Sequence, residues 1–443
     1  MTRSALLALL GAAALTPPIA AAPRAAVTPA PAVNVLATTD QNEVITRALR
    51  AVQTDAVRKA STLAAYRWKA VLRDSPPVEA WPSFDGMIEE FMFNYAMKAA
   101  NSDANYPRVA QIYTPPRTWR GAAVPGSRWG GDNPDNAYRI IPVDGTARFR
   151  IDGKVGANPP ANISYVLIGN WETSKTLAMI EQSQLVVAPD GTFSITLDPQ
   201  PANGRPNHLQ TRPGALMVFI RDSLSDWRQQ PNALTVTRLD PPAAPPLTDT
   251  QIADKTADIA LDGLPLVYWF YQFAHTPPNA IPQLTGSGAN GGLLTQRGSA
   301  GMAVLADDEA LVITLDPSDA AYYSVVAHDN WWRTVDYASH TSSLNNSQVT
   351  RNRDGTVTFV VAPHDPGVHN WIDTGGLHQS PLVLRTQGLS AHPAREPTIQ
   401  TRVVKVAELK AVLPPETTWV TPAERAAQVA QRQAEVAARL ADH

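Results

Sequence analysis

The chain contains no cysteine, which excludes disulfides, thiolate nucleophiles and thiolate metal sites; any bound metal would need His, Asp or Glu ligands. Charge is scarce and balanced. With 37 Lys and Arg against 40 Asp and Glu, and a formal net charge of −3, there is no electrostatic footprint for nucleic acid or an anionic membrane surface. The N-terminal apolar run, Ala5 to Leu15, is shorter than the roughly 20 residues that span a bilayer, and Pro17-Pro18 breaks it. Two catalytic signatures are also missing. The stretch Gly286-Ser287-Gly288-Ala289-Asn290-Gly291-Gly292 lacks the Gly-Lys-Ser/Thr ending of a phosphate loop and reads as a lid or linker, and no Gly-x-Ser-x-Gly elbow occurs between a strand and a helix.

What is present suffices for two or three cored units: 443 residues, 44% of them hydrophobic. Arg3, the apolar run and Ala20-Ala21-Ala22 together read as a secretory signal, which predicts a periplasmic or secreted protein. Helical spacing runs from Asp40 to Arg73, through Val44, Ala48, Val52, Val57 and Leu63, and again over Glu89 to Ala100. From about Tyr138 the period switches to strands, as in Ala147 to Ile151 and Ile163 to Ile168, with Asp190-Gly191 and Asp354-Gly355 as turn dipeptides. Thr421-Pro422-Ala423-Glu424 is a capping box opening a last helix, whose sparse apolar positions predict a surface or intersubunit location.

Self-comparison is the most informative step. Asp190 to Pro199 matches Asp354 to Pro363 without a gap, Asn207 to Thr211 matches Asn370 to Thr374, Ala215 to Arg221 matches Ser380 to Arg385, and Ile163 to Trp171 matches Tyr322 to Trp331. Four blocks in one order imply a duplicated unit. The predicted class is α+β, mainly β, with two similar jelly-roll-like β-sandwiches, each preceded by helices, and a C-terminal helix. The predicted division is a signal peptide (1–22), a linker (23–39), an N-terminal helical region (40–125), a first sandwich (126–246), a helical connection with the glycine-rich loop (247–300), a second sandwich (301–392) and a C-terminal extension (393–443).

Gly131-Asp132-Asn133-Pro134-Asp135-Asn136-Ala137-Tyr138, then Phe149-Arg150-Ile151-Asp152-Gly153, and the pattern Asp-Gly-Thr, Asn-Trp, Arg resemble a bacterial family catalogued as domain-of-unknown-function 1214. The likeness runs from about Gly130 to Asp240 and again over the second copy. It implies β-sandwich or jelly-roll domains with packed helices, and no particular activity.

Six of the nine histidines lie between His328 and His392. Where the copies agree, as at Asn170/Asn330, Trp171/Trp331, Asn207/Asn370, Thr211/Thr374 and Arg221/Arg385, the shared residue reads as serving the fold. Where the second copy alone gains ionisable groups, as at His328-Asp329, His364, Asp373 and His378, function becomes the sharper reading. On that basis His328, Asp329, His369 and Asp373 are the candidate catalytic groups, one histidine acting as base and one carboxylate orienting it, in a pair such as His328 with Asp373 or His369 with Asp365. Asn330, Trp331, Trp332, His364, Asn370, Trp371, His378 and Arg385 are the candidate substrate contacts. No cofactor is expected; a divalent ion on His364, Asp365, His369, His378 and Asp329 is a weaker alternative because the spacing matches no ligand pattern. The loop Arg128 to Asn136 reads as Asx turns or a wall of a site.

These features predict an exported acid–base enzyme acting on a small organic or glycosidic substrate in the second copy. The alternatives are a carbohydrate- or ligand-binding module and an oligomeric envelope protein. The partners expected are thus a small molecule or saccharide and a possible second copy of the chain, with no nucleic acid and no membrane insertion.

Overall fold

A computed structural model describes residues 34–73, 76–170, 175–274, 277–286, 293, 295–390 and 393–442. The signal segment, most of the linker, Trp171, most of the glycine-rich loop and His392 lie outside them. The expected N-terminal helical run is two helices, α1 (Thr39–Val52) and α2 (Asp55–Leu72). Thr54 ends the continuity, since its side chain accepts the Val57 amide and so starts a new helix. They are followed by α3 (Phe84–Ala100), α4 (Asp249–Asp262) and α5 (Pro265–Ala274). A short α6 (Leu409–Val412) precedes α7 (Pro422–Leu440), which opens with the expected reciprocal Thr421/Glu424 cap.

The strands form two sandwiches of the same plan. In the first, β1 (Ala110–Ile112) is followed by a small hairpin of β2 (Arg117–Trp119) and β3 (Ala122–Val124). Then come β4 (Asn136–Pro142), β5 (Phe149–Lys154), β6 (Asn162–Ile168), β7 (Thr176–Glu181), β8 (Thr192–Asp198), β9 (His208–Gln210), β10 (Met217–Ser223) and β11 (Ala233–Arg238). The second comprises β12 (Thr285–Gly286), β13 (Arg297–Val304), β14 (Glu309–Asp316), β15 (Tyr322–Ala327), β16 (Ser343–Asn345), β17 (Val357–Ala362), β18 (Trp371–Asp373), β19 (Gln379–Gln387) and β20 (Thr398–Lys405).

The five-stranded sheet β1-β4-β10-β6-β7 corresponds strand for strand to β12-β13-β19-β15-β16, and the four-stranded sheet β11-β5-β8-β9 to β20-β14-β17-β18. Both four-stranded sheets end in one parallel pair, β8 with β9 and β17 with β18. The five-stranded sheets are covered on both faces. In β10, Val218 and Ile220 enter the interior of the first sandwich, while Met217 and Phe219 face the cluster built by α1 to α5. That cover explains why β4 and β6 are buried at every position. The helical cluster also takes in Trp331 and Trp332 of the second sandwich, so one core spans both copies.

The last helix lies on the surface, with one face packed against its own chain. Arg425 of α7 pairs with Asp365 at 3.0 Å, Arg432 donates to the Tyr337 carbonyl and the Ser343 hydroxyl, and Val436 packs on Leu224, Trp227 and Tyr337. Its sparse apolar stripe is supplemented by buried arginines, a mode that hydrophobic spacing does not reveal.

Candidate functional site

The loop Arg128 to Asn136 leaves the first sandwich just before β4 and reaches into the second. Its glycines make this possible: Gly130 and Gly131 have φ of +75° and +72°, which a side chain would oppose. The Gly131 amide donates to the Trp332 carbonyl, and Arg128 donates to the Thr334 carbonyl, each at 2.9 Å. Asp132 accepts from the Thr334 amide at 3.0 Å and its hydroxyl at 2.8 Å. Further along, Asp135 accepts from Trp227, Tyr322 and Asn345 at 2.6, 2.7 and 2.9 Å. Glu90 of α3 completes the tie by pairing with both Arg128 and Arg333.

Beside this loop lies a cavity of about 240 Å³, lined by both sandwiches and by Gly130, Gly131 and Asp132. Arg221 of β10 and Arg385 of β19 both line it. They occupy the same register in the two copies, Arg221 opposite Ser164 of β6 and Arg385 opposite Ser324 of β15. Arg385 donates to the Gly131 carbonyl at 2.7 Å, but its Nη1 is buried with no hydrogen-bond partner, and so is Nη1 of Arg221. Among the described residues neither arginine has an ion-pair partner within 4.0 Å. Burial pulls the Arg221 guanidinium below its ordinary range, and the like charge of Arg385 adds to that pull. Burial pushes the Asp132 carboxyl up to about 6, against the pull of Arg128 and the Thr334 hydrogen bonds.

One wall is aromatic. Tyr138 and Phe219 are stacked, with ring centroids 5.5 Å apart and planes 8° apart, and Tyr113 meets Tyr138 edge-on at 5.2 Å. The Arg221 guanidinium lies over Phe219, 4.4 Å from the ring centroid. The arrangement can hold an anion beside the two guanidiniums, with Asp132 as a nearby titratable group.

The sequence-predicted residues are dispersed. His328 is fully buried; its Nε2 donates to the Asp132 carbonyl at 2.9 Å, and burial, then the Arg385 charge, lowers its pKa to about 3. It is a neutral strut under the cavity loop rather than a base, and Asp373 is not its partner. Asp373 instead takes His340, with Nδ1 2.7 Å from the carboxylate, in a half-exposed pair. Asp329 caps its own turn through the Trp331 and Arg333 amides and pairs with Arg333. His369 does not meet Asp365, which Arg425 has taken; its Nδ1 faces the Asn370 side chain, and it lines another cavity of about 310 Å³ under α7.

The expected ligand contacts mostly serve the core. Trp331 donates to Ser83 and packs against Trp81 and Phe84, Trp332 stacks on Phe270, and Trp371 donates to the Ala362 carbonyl under Arg425. Asn330 is partly buried within the same turn. Asn370 pins the segment at Thr350 by donating to its carbonyl and accepting its amide, as Asn207 does with Val186. His364 is exposed and His378 half-buried; they share Asp307, and His378 also pairs with Glu79. Among the described residues no three His, Asp or Glu side chains form a metal-ligand group. Of the expected catalytic groups and substrate contacts only Arg385 lines the inter-sandwich cavity, whereas the loop Arg128 to Asn136 does form a wall of it. Arg221, Tyr113, Tyr138 and Phe219 were missed, although the Arg221/Arg385 match in the two copies was the available signal.

Residues 294–388, most of the second sandwich, match the family described as protein of unknown function DUF1214. Among solved structures, an uncharacterised protein from Burkholderia cenocepacia is 25% identical, with a TM-score of 0.66 over 82% of this chain and 100% of that chain. A protein from Vibrio parahaemolyticus is 12% identical, with a TM-score of 0.39 over 72% of this chain and 99% of that one. No curated protein matches. The family description carries no activity, so function rests on the site.

Proposed function

We propose that this protein binds a small organic anion in the cavity between its sandwiches, held by Arg221 and Arg385. The observation that carries the reading is the convergence of two arginines, one from each copy, whose inner Nη1 atoms are buried without a partner. A buried donor left unmade costs about 1–3 kcal/mol, more when charged, and a carboxylate satisfies guanidinium donors in their own planar geometry. Export, supported by the leader-like first 22 residues, would place this binding outside the cytoplasm.

The test is calorimetric titration of the full chain with a panel of small carboxylates, beside the variants Arg221→Gln and Arg385→Gln. Saturable binding is expected in the parent, weakened about tenfold or more in each variant. A panel that gives no heat and no rise in unfolding temperature ends the proposal. Acid–base turnover of the bound anion is a second reading, favoured by Asp132, whose carboxyl titrates near 6 in the same cavity. Loss of turnover with retained binding in Asp132→Asn would support it.

A further inference from the structure

We infer that the anion is a short-chain hydroxy acid, its carboxylate on the paired arginines and its hydroxyl on the Asn136 side chain. The inference rests on the anion-binding reading and goes beyond it in naming the ligand class. The strand register supplies the geometry. Arg221 of β10 lies opposite Tyr138 of β4, and the next residue on the same face of β10, Ser223, lies opposite Asn136. Asn136 is therefore a diagonal neighbour of Arg221, a relation that sets residues about 7–8 Å apart, and both line the cavity. Among the described residues, the Asn136 Oδ1 is buried with no hydrogen-bond partner, as are the Nη1 atoms of Arg221 and Arg385.

Two donors and one acceptor define the ligand. A carboxylate satisfies guanidinium donors but has no proton to give the Asn136 oxygen, whereas a hydroxyl can donate to it. A plain aliphatic acid would leave Asn136 unmet, and a neutral alcohol would leave the arginines unmet. Charge narrows the class. Among the described residues the charged groups lining the cavity are Arg221, Arg385 and Asp132. Asp132 titrates near 6 and is mostly ionised at pH 7, so one anionic charge balances the site. A second carboxylate or a phosphate dianion would set excess negative charge against Asp132, and an amino acid's ammonium would leave the arginines' surplus uncompensated. The cavity, about 240 Å³, falls below the roughly 300–1,000 Å³ of pockets that take drug-sized ligands, which favours a short chain.

The test titrates the full chain at pH 7 with glycolate, acetate, glycine, oxalate and inorganic phosphate. Glycolate should bind about tenfold more tightly than acetate, the gain expected from one buried hydrogen bond, and more tightly than the other three. Asn136→Ala should lower glycolate to the acetate affinity and leave acetate unchanged. Acetate as tight as glycolate, or glycine, oxalate or phosphate tighter than it, overturns the hydroxy-acid assignment while the anion site stands. No binding by any of the four anions overturns both. A full glycolate preference retained in Asn136→Ala overturns the placing of the hydroxyl on Asn136. The selectivity series uses the unaltered protein, so a variant that fails to fold does not blunt it.

Discussion

Asp132 and His328 sit at the two ends of one hydrogen bond and titrate in opposite senses for the same reason, burial without enough compensating charge. An acid whose folded pKa is raised, here from 3.8 to about 6, favours the folded state when protonated. Its contribution is therefore present below pH 4 and is lost as pH rises through 6. In urea denaturation the parent should lose on the order of 3 kcal/mol across that window, a loss absent from Asp132→Asn; parallel profiles would show that the carboxyl does not titrate there. The same proton removes a negative charge from the cavity, so a small carboxylate that binds there should bind more tightly at pH 5.5 than at pH 7.5, and Asp132→Asn should flatten the difference. His328, with a pKa near 3, should keep one neutral form throughout. Its ring proton shifts, followed by NMR, should stay flat from pH 8 to pH 4.5, whereas a step near 6.5 would restore it as a candidate base.

The loop Arg128 to Asn136 does more than any strand to join the copies. Three donors converge on Asp135, and Trp227 and Asn345, which come from different sandwiches, share one of its oxygens. Asp135→Ala leaves the buried Trp227 indole N–H unpaired and takes one acceptor each from Tyr322 and Asn345, so the unfolding free energy should fall by about 3 kcal/mol. An equilibrium denaturation midpoint unchanged by that substitution would mean that the loop is not the tie described here. Periodicity located the helices and strands because each alternates in contact with a core. It could not locate this loop's role, since its effect depends on donors in Trp227, Tyr322 and Asn345, up to 210 residues away.

The two sandwiches share a helical cluster that contains residues of both, among them Phe219, Trp331 and Trp332. Neither copy can expose its five-stranded sheet without opening that cluster, so calorimetry should record one cooperative unfolding transition rather than two. A fragment covering the second sandwich alone, including the family-matched residues 294–388, should bind a hydrophobic dye, because its tryptophans lose α3 and α5 as cover. Two resolved transitions, or a stable dye-free fragment, would make the copies independent domains.

The duplication, the class of fold and the capped helices were legible in the order of residues, because turns, caps and alternation act over short stretches of chain. The histidine-rich segment was legible too, yet its histidines proved to be a strut, surface pairs and a neighbour of α7. Comparison of the copies treated agreement at Arg221 and Arg385 as a mark of scaffold. The anion-binding proposal takes the opposite view, because equivalent strands of a duplicated unit bring these shared residues to one cavity. Which guanidiniums lack partners depends on every donor and acceptor within reach, and the packing of one copy on the other decides that.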